Sequence, residues 1–193
     1  MGMIVAIGGG EISKFETLAI GDYIVNLTGK TNSKALFIPT ASNESQGYID
    51  IFNDIYGRKL GCKTDVLYLI NGNLSDEEIK NKIFSADLIY VGGGDTIKMM
   101  EVWRSKKVDW WDYQLVNGLG LIEAIHCPHY NEEGREGFDE IMETFEGMGI
   151  AIENNCALVI KYDKFKILKS DEKSNAYKLY KLNGRVHKQL LDN

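Results

Sequence analysis

One histidine and two runs of glycine are the residues of this 193-residue sequence best suited to chemistry. His129 lies just past a predicted strand and next to Pro128, whose ring restricts the local backbone. An imidazole at the end of a strand is well placed to act as a general base. The alternative is a hydrogen-bonded structural histidine. His126 is predicted to face the other side of the strand, and His187 is predicted to lie at the surface.

The first glycine run to consider follows the apolar segment Leu88–Val91, which is predicted to be a buried strand. Gly92, Gly93 and Gly94 come next, and Asp95 or Thr96 can cap a following helix. A strand, a glycine turn and a helix start leave backbone N–H groups pointing at open space. That geometry suits a phosphate or an oxyanion, and the alternative is a tight turn with no ligand.

A second apolar strand, Met3–Ile7, also runs into glycines, at positions 8 to 10. In open α/β sheets, ligands bind at the carboxyl ends of the strands. We therefore expect Gly9 and Gly10, together with Asp95 and Thr96, to contact a ligand.

Weaker candidates surround His129. Cys127 is two residues away, so a thiol–imidazole pair is conceivable, although a cysteine beside a strand end is more often a small buried apolar residue. Four carboxylates resemble metal ligands in number only, because a helix start favours acidic side chains anyway; they are Glu132, Glu133, Glu136 and Asp139.

Composition narrows the functional class. The chain has 44% hydrophobic residues and a net charge of −6, which fits one globular domain spanning residues 1–193. No basic stripe indicates nucleic acid, and no apolar run reaches membrane-spanning length. The three cysteines show no metal-type spacing, so reduced thiols and a cytoplasmic location are expected.

The first hundred residues alternate apolar runs with amphipathic segments, which predicts an α/β fold with a parallel sheet covered by helices on both faces. The predicted strands are Met3–Ile7, Ala35–Ile38, Asp65–Ile70 and Leu88–Val91. The predicted helices are Thr17–Thr28, Tyr48–Leu60, a helix to Phe84 that begins with a Ser75–Glu78 capping box, and Thr96–Lys107.

The second half is less regular. It predicts a strand at Leu119–His126, a helix at Arg135–Phe145 and a short strand at Gly149–Ile152. Alternating segments then predict C-terminal β-hairpins, the last of them turning at Asn183-Gly184.

Four segments together carry a family resemblance: IVAIGGGE, ALFIPTAS, LIYVGGGDT and GLGLIEAIHCPHYNEEGRE. In this order they resemble the serine peptidase family that contains dipeptidase E and cyanophycinase. That family is similar in fold to the flavodoxin-like class I glutamine amidotransferases. The resemblance implies a Ser–His–acid hydrolase without metal or cofactor, with His129 as the catalytic base and Gly93 and Gly94 as oxyanion-hole donors.

One departure from the family is serious. The family carries a G-x-S-x-G nucleophile elbow on the strand after the helix that follows VGGGDT, and this sequence contains no G-x-S-x-G. The predicted helix at 96–107 runs directly into Trp110 and Trp111. Ser105 is no substitute, because it lies inside that helix without flanking glycines.

The gap is also visible without the family, because a parallel sheet needs a strand after each helix and residues 106–117 offer none. The sequence omits an intervening stretch between Asp109 and Trp110, or the gene carries a deletion, or the chain is a catalytically dead relative. The first explanation is favoured, because losing a central strand would expose two strand edges. It predicts that Asp109 and Trp110 are not adjacent in space.

The leading hypothesis is a cytoplasmic serine peptidase of the dipeptidase E type that hydrolyses small peptides. The alternative is an inactive homologue that binds a small molecule or peptide. Nucleotide binding is disfavoured, because the glycines lack the G-x-G-x-x-G spacing. Peptide specificity, the acidic member of the triad and the oligomeric state, with a homodimer among the options, are left open.

Overall fold

A computed structural model describes residues 3–105, 123–135, 137–161 and 164–192. The chain divides into two compact units: one contains residues 1–20 and 113–193, and the other contains residues 21–112. We call them the split unit and the continuous unit. The predicted break between Asp109 and Trp110 lies outside the described residues.

Among those residues the strands are β1 (Ile4–Ile7), β2 (Lys34–Ile38), β3 (Lys63–Val66), β4 (Leu88–Val91), β5 (Ala124–Cys127), β6 (Met148–Ile152), β7 (Cys156–Lys161), β8 (Lys164–Lys169), β9 (Ala176–Leu182) and β10 (Arg185–Leu190). The α-helices are α1 (Leu18–Leu27), α2 (Gln46–Phe52), α3 (Asp76–Ser85), α4 (Thr96–Ser105) and α5 (Gly137–Thr144). A π-helical segment, Asn53–Lys59, continues α2. No described helix is both long and apolar enough to cross a membrane.

The continuous unit contains a parallel sheet in the order β3-β2-β4. The central strand β2 is apolar and buried from Ala35 to Ile38, as expected for a strand flanked on both sides. Leu36 and Ile38 pack in a buried cluster with Leu67, Leu69 and Ile79. The predicted parallel sheet with helices is confirmed for these three strands.

The prediction that Met3–Ile7 joins the same parallel sheet is wrong. Strand β1 pairs antiparallel with β7, with Ile4 opposite Ile160, in a separate sheet of order β1-β7-β8. The apolar run Cys156–Lys161 is a pairing partner far along the sequence. Local alternation of strands and helices does not reveal such a partner, so the regular pattern favoured the wrong neighbour.

The third strand is earlier and shorter than the predicted Asp65–Ile70, because a buried carboxylate takes over the backbone beyond it. Glu44 accepts hydrogen bonds from the N–H groups of Leu69, Ile70 and Asn71 at 2.5, 2.7 and 2.9 Å. Those donors are satisfied by a side chain instead of a neighbouring strand. Nothing in the local pattern of residues 65–70 indicates this partner.

Helix α3 begins as the sequence predicts. The Ser75 hydroxyl accepts from the Glu78 N–H at 3.3 Å, and the Glu78 carboxylate accepts from the Ser75 N–H at 2.8 Å. This reciprocal capping box satisfies donors that the first helical turn would otherwise leave unpaired.

The split unit also holds a sheet of order β10-β9-β6-β5, in which β5 and β6 are parallel and the other pairs are antiparallel. Strand β5 begins at Ala124; the part of the predicted strand at 119–122 lies outside the described residues. Helix α5 packs Phe138 and Met142 against Cys127, Ala151 and Leu179. The segment after β5 is thereby fixed on a packed layer.

Candidate active site

His129 lies two residues past β5 in a backbone conformation that few residues adopt. Its φ is +56°, in the left-handed region. The His129 N–H donates to the Gly8 carbonyl at 2.5 Å, and the next N–H, from Tyr130, donates to the Ile152 carbonyl at 3.1 Å. Two strand ends therefore hold this turn in place. An unusual backbone angle held by its surroundings is a common feature of functional sites.

The imidazole is oriented through one of its two nitrogens. Nδ1 lies 2.8 Å from Oδ1 of Asn154 and 3.1 Å from Oε1 of Glu132. The Asn154 amide nitrogen donates to the same Glu132 oxygen at 2.8 Å, which identifies Oδ1 as the face that Asn154 turns to the ring. Both neighbours of Nδ1 are acceptors, so Nδ1 carries the proton in the neutral ring. Nε2 is then left with a lone pair.

Glu132 has the electrostatics of a permanently charged partner. The hydrogen bond from Asn154 lowers the pKa of the Glu132 carboxyl, and the charge of His129 and its hydrogen bond lower it further. The His129 side chain remains 39% exposed, so the imidazole is reachable from solvent. A histidine with an acid on Nδ1 and an accessible Nε2 can accept a proton and then be stabilised as imidazolium.

The glycines at positions 8 to 10 hold this histidine closely. Gly9 has a φ of +138°, and a Cβ there would lie 2.1 Å from Asn154 Oδ1 and 2.4 Å from His129 Nδ1. The Gly9 carbonyl accepts from the Asn155 N–H at 3.0 Å. Gly9 is required here because the backbone touches the two side chains that define the site. The predicted contact of Gly9 and Gly10 with substrate stays a prediction.

The glycines after β4 differ. Gly94 has a φ of +142°, and a Cβ there would lie 2.3 Å from the Ala41 carbonyl oxygen. The same oxygen accepts from the Asp95 N–H at 2.8 Å. A Cβ on Gly93 would meet nothing within 4 Å. Among the described residues no partner is found for the N–H groups of Gly93 and Gly94, which leaves both available as donors.

Asp95 caps α4, because its Oδ1 accepts from the Lys98 N–H at 3.0 Å, and Thr96 is the first helical residue. This agrees with the sequence-based expectation of a cap at Asp95 or Thr96. His129 belongs to the split unit, whereas Gly93 and Gly94 belong to the continuous unit. Their predicted proximity stays a prediction.

The structure offers no support for a thiol nucleophile at Cys127. The side chain is buried, and desolvation raises the pKa of its thiol, which disfavours the reactive thiolate. Its Sγ contacts the Pro128 carbonyl at 3.6 Å. Within the described part of the chain, no group of three or more His, Cys, Asp or Glu side chains is arranged to hold a metal ion.

Sequence analysis missed two members of the site. Glu132 was interpreted only as an acidic residue at a helix start, although its position three residues after His129 in a turn is a usable signal. Asn154 lies 25 positions from His129, in the turn between β6 and β7, and only the pairing of β5 with β6 brings the two together. No local pattern could have identified it.

Comparison with known proteins decides the family. The model of peptidase family S51 matches residues 4–111 and 108–168. The chain belongs to peptidase family S51. The resemblance to the dipeptidase E and cyanophycinase family is thereby confirmed, and with it the broad class of peptidase.

Two relatives of this S51 chain agree with the assignment. "Uncharacterized peptidase YgaJ" of Bacillus subtilis (strain 168) is 27% identical over 215 residues, covering 93% of this chain and 92% of that protein. A 1.5 Å crystal structure named for a peptidase E protein of Listeria monocytogenes EGD-e superposes with a TM-score of 0.63 at 18% identity. It covers 88% of this chain and 98% of that one, and it supports the fold alone.

The family match has an internal break. Its two stretches overlap at residues 108–111, so no residue of this chain separates them. What separates them therefore belongs to the family and not to this chain. The alignment with the Bacillus subtilis relative runs over 215 residues, more than the 193 of the whole chain, so that relative has residues where this chain has none.

Proposed function

We propose that this protein is a serine-type peptidase that hydrolyses small peptides through a Ser–His–acid mechanism. The observation that carries the proposal is the arrangement around His129: Nδ1 faces Glu132 at 3.1 Å and Asn154 at 2.8 Å, which leaves Nε2 as the proton acceptor. The nucleophilic serine is absent from the 193-residue sequence, and the proposal assigns it to the residues missing at the break in the family match.

In the proposed reaction, Nε2 of His129 takes the serine hydroxyl proton as the oxygen attacks the peptide carbonyl. Glu132 stabilises the imidazolium that results, and Asn154 keeps the carboxylate and the ring in register. The N–H groups of Gly93 and Gly94 stabilise the oxyanion. The imidazolium then protonates the leaving amine, and water releases the acyl group with His129 again acting as base.

Substrate contacts are proposed at Gly9, Gly10, Asp95 and Thr96, where the glycine turns give a peptide access to the backbone. The mechanism uses only protein groups and therefore needs no cofactor. Three buried free cysteines among the described residues are compatible with a reducing cytoplasm. The acidic surface charge and the peptide substrate give no role to nucleic acid, and a homodimer is left open.

The second candidate is an inactive homologue that binds a small molecule or peptide. The absence of G-x-S-x-G from the sequence favours it. In that case the chain keeps the glycine turns and the His129–Glu132 pair but performs no acyl transfer.

The two candidates are separated by the protein isolated from its native cells. We expect its intact mass to exceed 21.8 kDa, a fluorophosphonate to label one serine, and dipeptides to be hydrolysed. A native mass of 21.8 kDa with neither labelling nor hydrolysis would establish the inactive homologue instead. The recombinant 193-residue chain is the matched control and should neither be labelled nor turn over peptide.

A further inference from the structure

Strand β4 forms one edge of the β3-β2-β4 sheet, and this edge is apolar and exposed. All of its residues, Leu88 to Val91, are large and uncharged. Ile89 is 43% exposed and Val91 is 46% exposed. These two side chains lie on the same face because strand side chains alternate. A parallel sheet is normally covered on both faces, so this face of β4 lacks its cover.

The opposite edge of the same sheet provides a comparison. Strand β3 has the sequence KTDV, and its two exposed positions are Lys63 and Asp65. Charged side chains on an edge strand are a common protection against pairing with another strand. Strand β4 has no lysine, proline or acidic residue. Of the two edges, β3 has the character of a natural edge and β4 has the character of an interior strand.

The next described strand along the chain is also terminal in its sheet. Strand β5 pairs only with β6 among the described residues, and it too carries no charged side chain apart from the titratable His126, which is exposed. The break in the family match, at 108–111, falls between α4 and β5. Two consecutive strands with unprotected edges therefore flank the point where relatives have additional residues.

We propose that the β4 edge is the binding site of a strand that this sequence lacks, encoded by the residues that relatives carry at the 108–111 break. The occupant is a strand followed by a helix: the strand pairs with β4, and the helix covers Ile89 and Val91. The strand is parallel to β4, because a strand reached through a helix such as α4 returns in the same direction.

This placement has a consequence for the chemistry, which rests on the proposed function. Parallel neighbours end at the same edge of a sheet. The carboxyl end of the added strand therefore lies beside Gly92–Gly94, and a serine at that end faces the free N–H groups of Gly93 and Gly94. The pairing itself does not depend on catalysis.

The test restores the segment. The residues of the Bacillus subtilis relative that align at the break are inserted between Val108 and Trp111, replacing Asp109 and Trp110. The matched controls are the same insert in scrambled order and the authentic insert with its elbow serine changed to alanine. The readouts are amide hydrogen exchange of β4, the urea m-value and the sedimentation coefficient.

We expect the authentic insert to slow exchange of the β4 amides at least about tenfold relative to the scrambled insert, and to raise the m-value because more surface is buried. The alanine variant should retain both effects. Equal exchange with the authentic and scrambled inserts would overturn the proposal. Protection of β4 in a dimer of the uninserted chain, unchanged by the insert, would identify a second copy as the occupant and would also overturn it. Protection without peptide hydrolysis would refute the proposed function and leave this inference standing.

Discussion

Two strands of this chain end in the same letters, three glycines and an acidic residue, yet the two turns do different things. At the end of β1, Gly9 contacts the side chains of His129 and Asn154. At the end of β4, Gly93 faces open space and leads into the capped start of α4. The first turn positions a base, and the second leaves N–H donors free. Identical sequence motifs acquire different roles because their strands pair with different partners.

The largest expected effect breaks the first turn's function by removing the base. In the chain with the authentic insert, His129→Ala should lower kcat/KM for dipeptides by about 10⁴-fold or more, because no other group accepts the serine proton. The side chain is half-exposed, so the urea midpoint should change little. The measurement is steady-state hydrolysis with a denaturation curve for each variant. His187→Ala is the control, and near-normal turnover of His129→Ala would return His129 to a structural role.

The next effect concerns the carboxylate that orients His129. Glu132→Gln should lower kcat about 10- to 1,000-fold with little change in KM, since Glu132 acts through the imidazole. The lowered pKa of Glu132 keeps it charged below the ordinary range of glutamate. Activity that needs this charge should therefore persist to below pH 4.5 and fall as the pH drops through the lowered pKa. Glu133→Gln, an exposed neighbour, should leave kcat and the acid limb intact; equal losses in both variants would contradict the assignment.

A paired substitution compares the two turns directly. Gly9→Ala should destabilise the protein by about 2–4 kcal/mol, because its Cβ would collide with Asn154 and His129 at a backbone angle that alanine rarely adopts. Gly93→Ala should change the free energy of unfolding by less than about 1 kcal/mol, since its Cβ enters open space. Urea unfolding of the 193-residue chain measures both. Equal destabilisation by the two substitutions would remove the distinction between the turns.

The smallest expected effect tests the support of the second turn. Glu44→Gln replaces a buried acceptor by an amide whose NH₂ would face backbone donors, and should cost about 2 kcal/mol of unfolding free energy. Hydrogen exchange should increase at residues 69–71 and leave the His129 turn unchanged. Glu101→Gln, on the exposed side of α4, provides the control. Loss of protection around His129 would show that the two turns are not independent.

Sequence analysis performed best where short-range rules decide the structure. The capping box at Ser75 and Glu78 and the glycine C-cap expected at Gly29 involve neighbours a few residues apart, and α1 and α3 end close to their predicted positions. It failed where a distant partner intervenes. Strand β1 takes β7 as its neighbour, and Glu44 captures the backbone that was expected to extend β3.

The site divides in the same way. His129 could be selected from its residue type and its place after a strand, but Asn154 becomes its partner only through strand pairing. Glu132 was within reach of sequence reasoning, because a carboxylate three residues after a histidine in a turn can meet its ring. Assigning it only to a helix start concealed that contact.

The split unit has a consequence for the order of folding. Its strand β1 must find β7 across a sequence separation of more than 150 residues, as the pairing of Ile4 with Ile160 shows. Closing so long a loop is slow, whereas the β2–β4 pairs of the continuous unit close within residues 35–91. During synthesis the continuous unit has all of its strands once residue 112 has left the ribosome. The amino-terminal strand, although made first, waits longest for its partner, so the histidine turn that it holds is among the last parts of the protein to form.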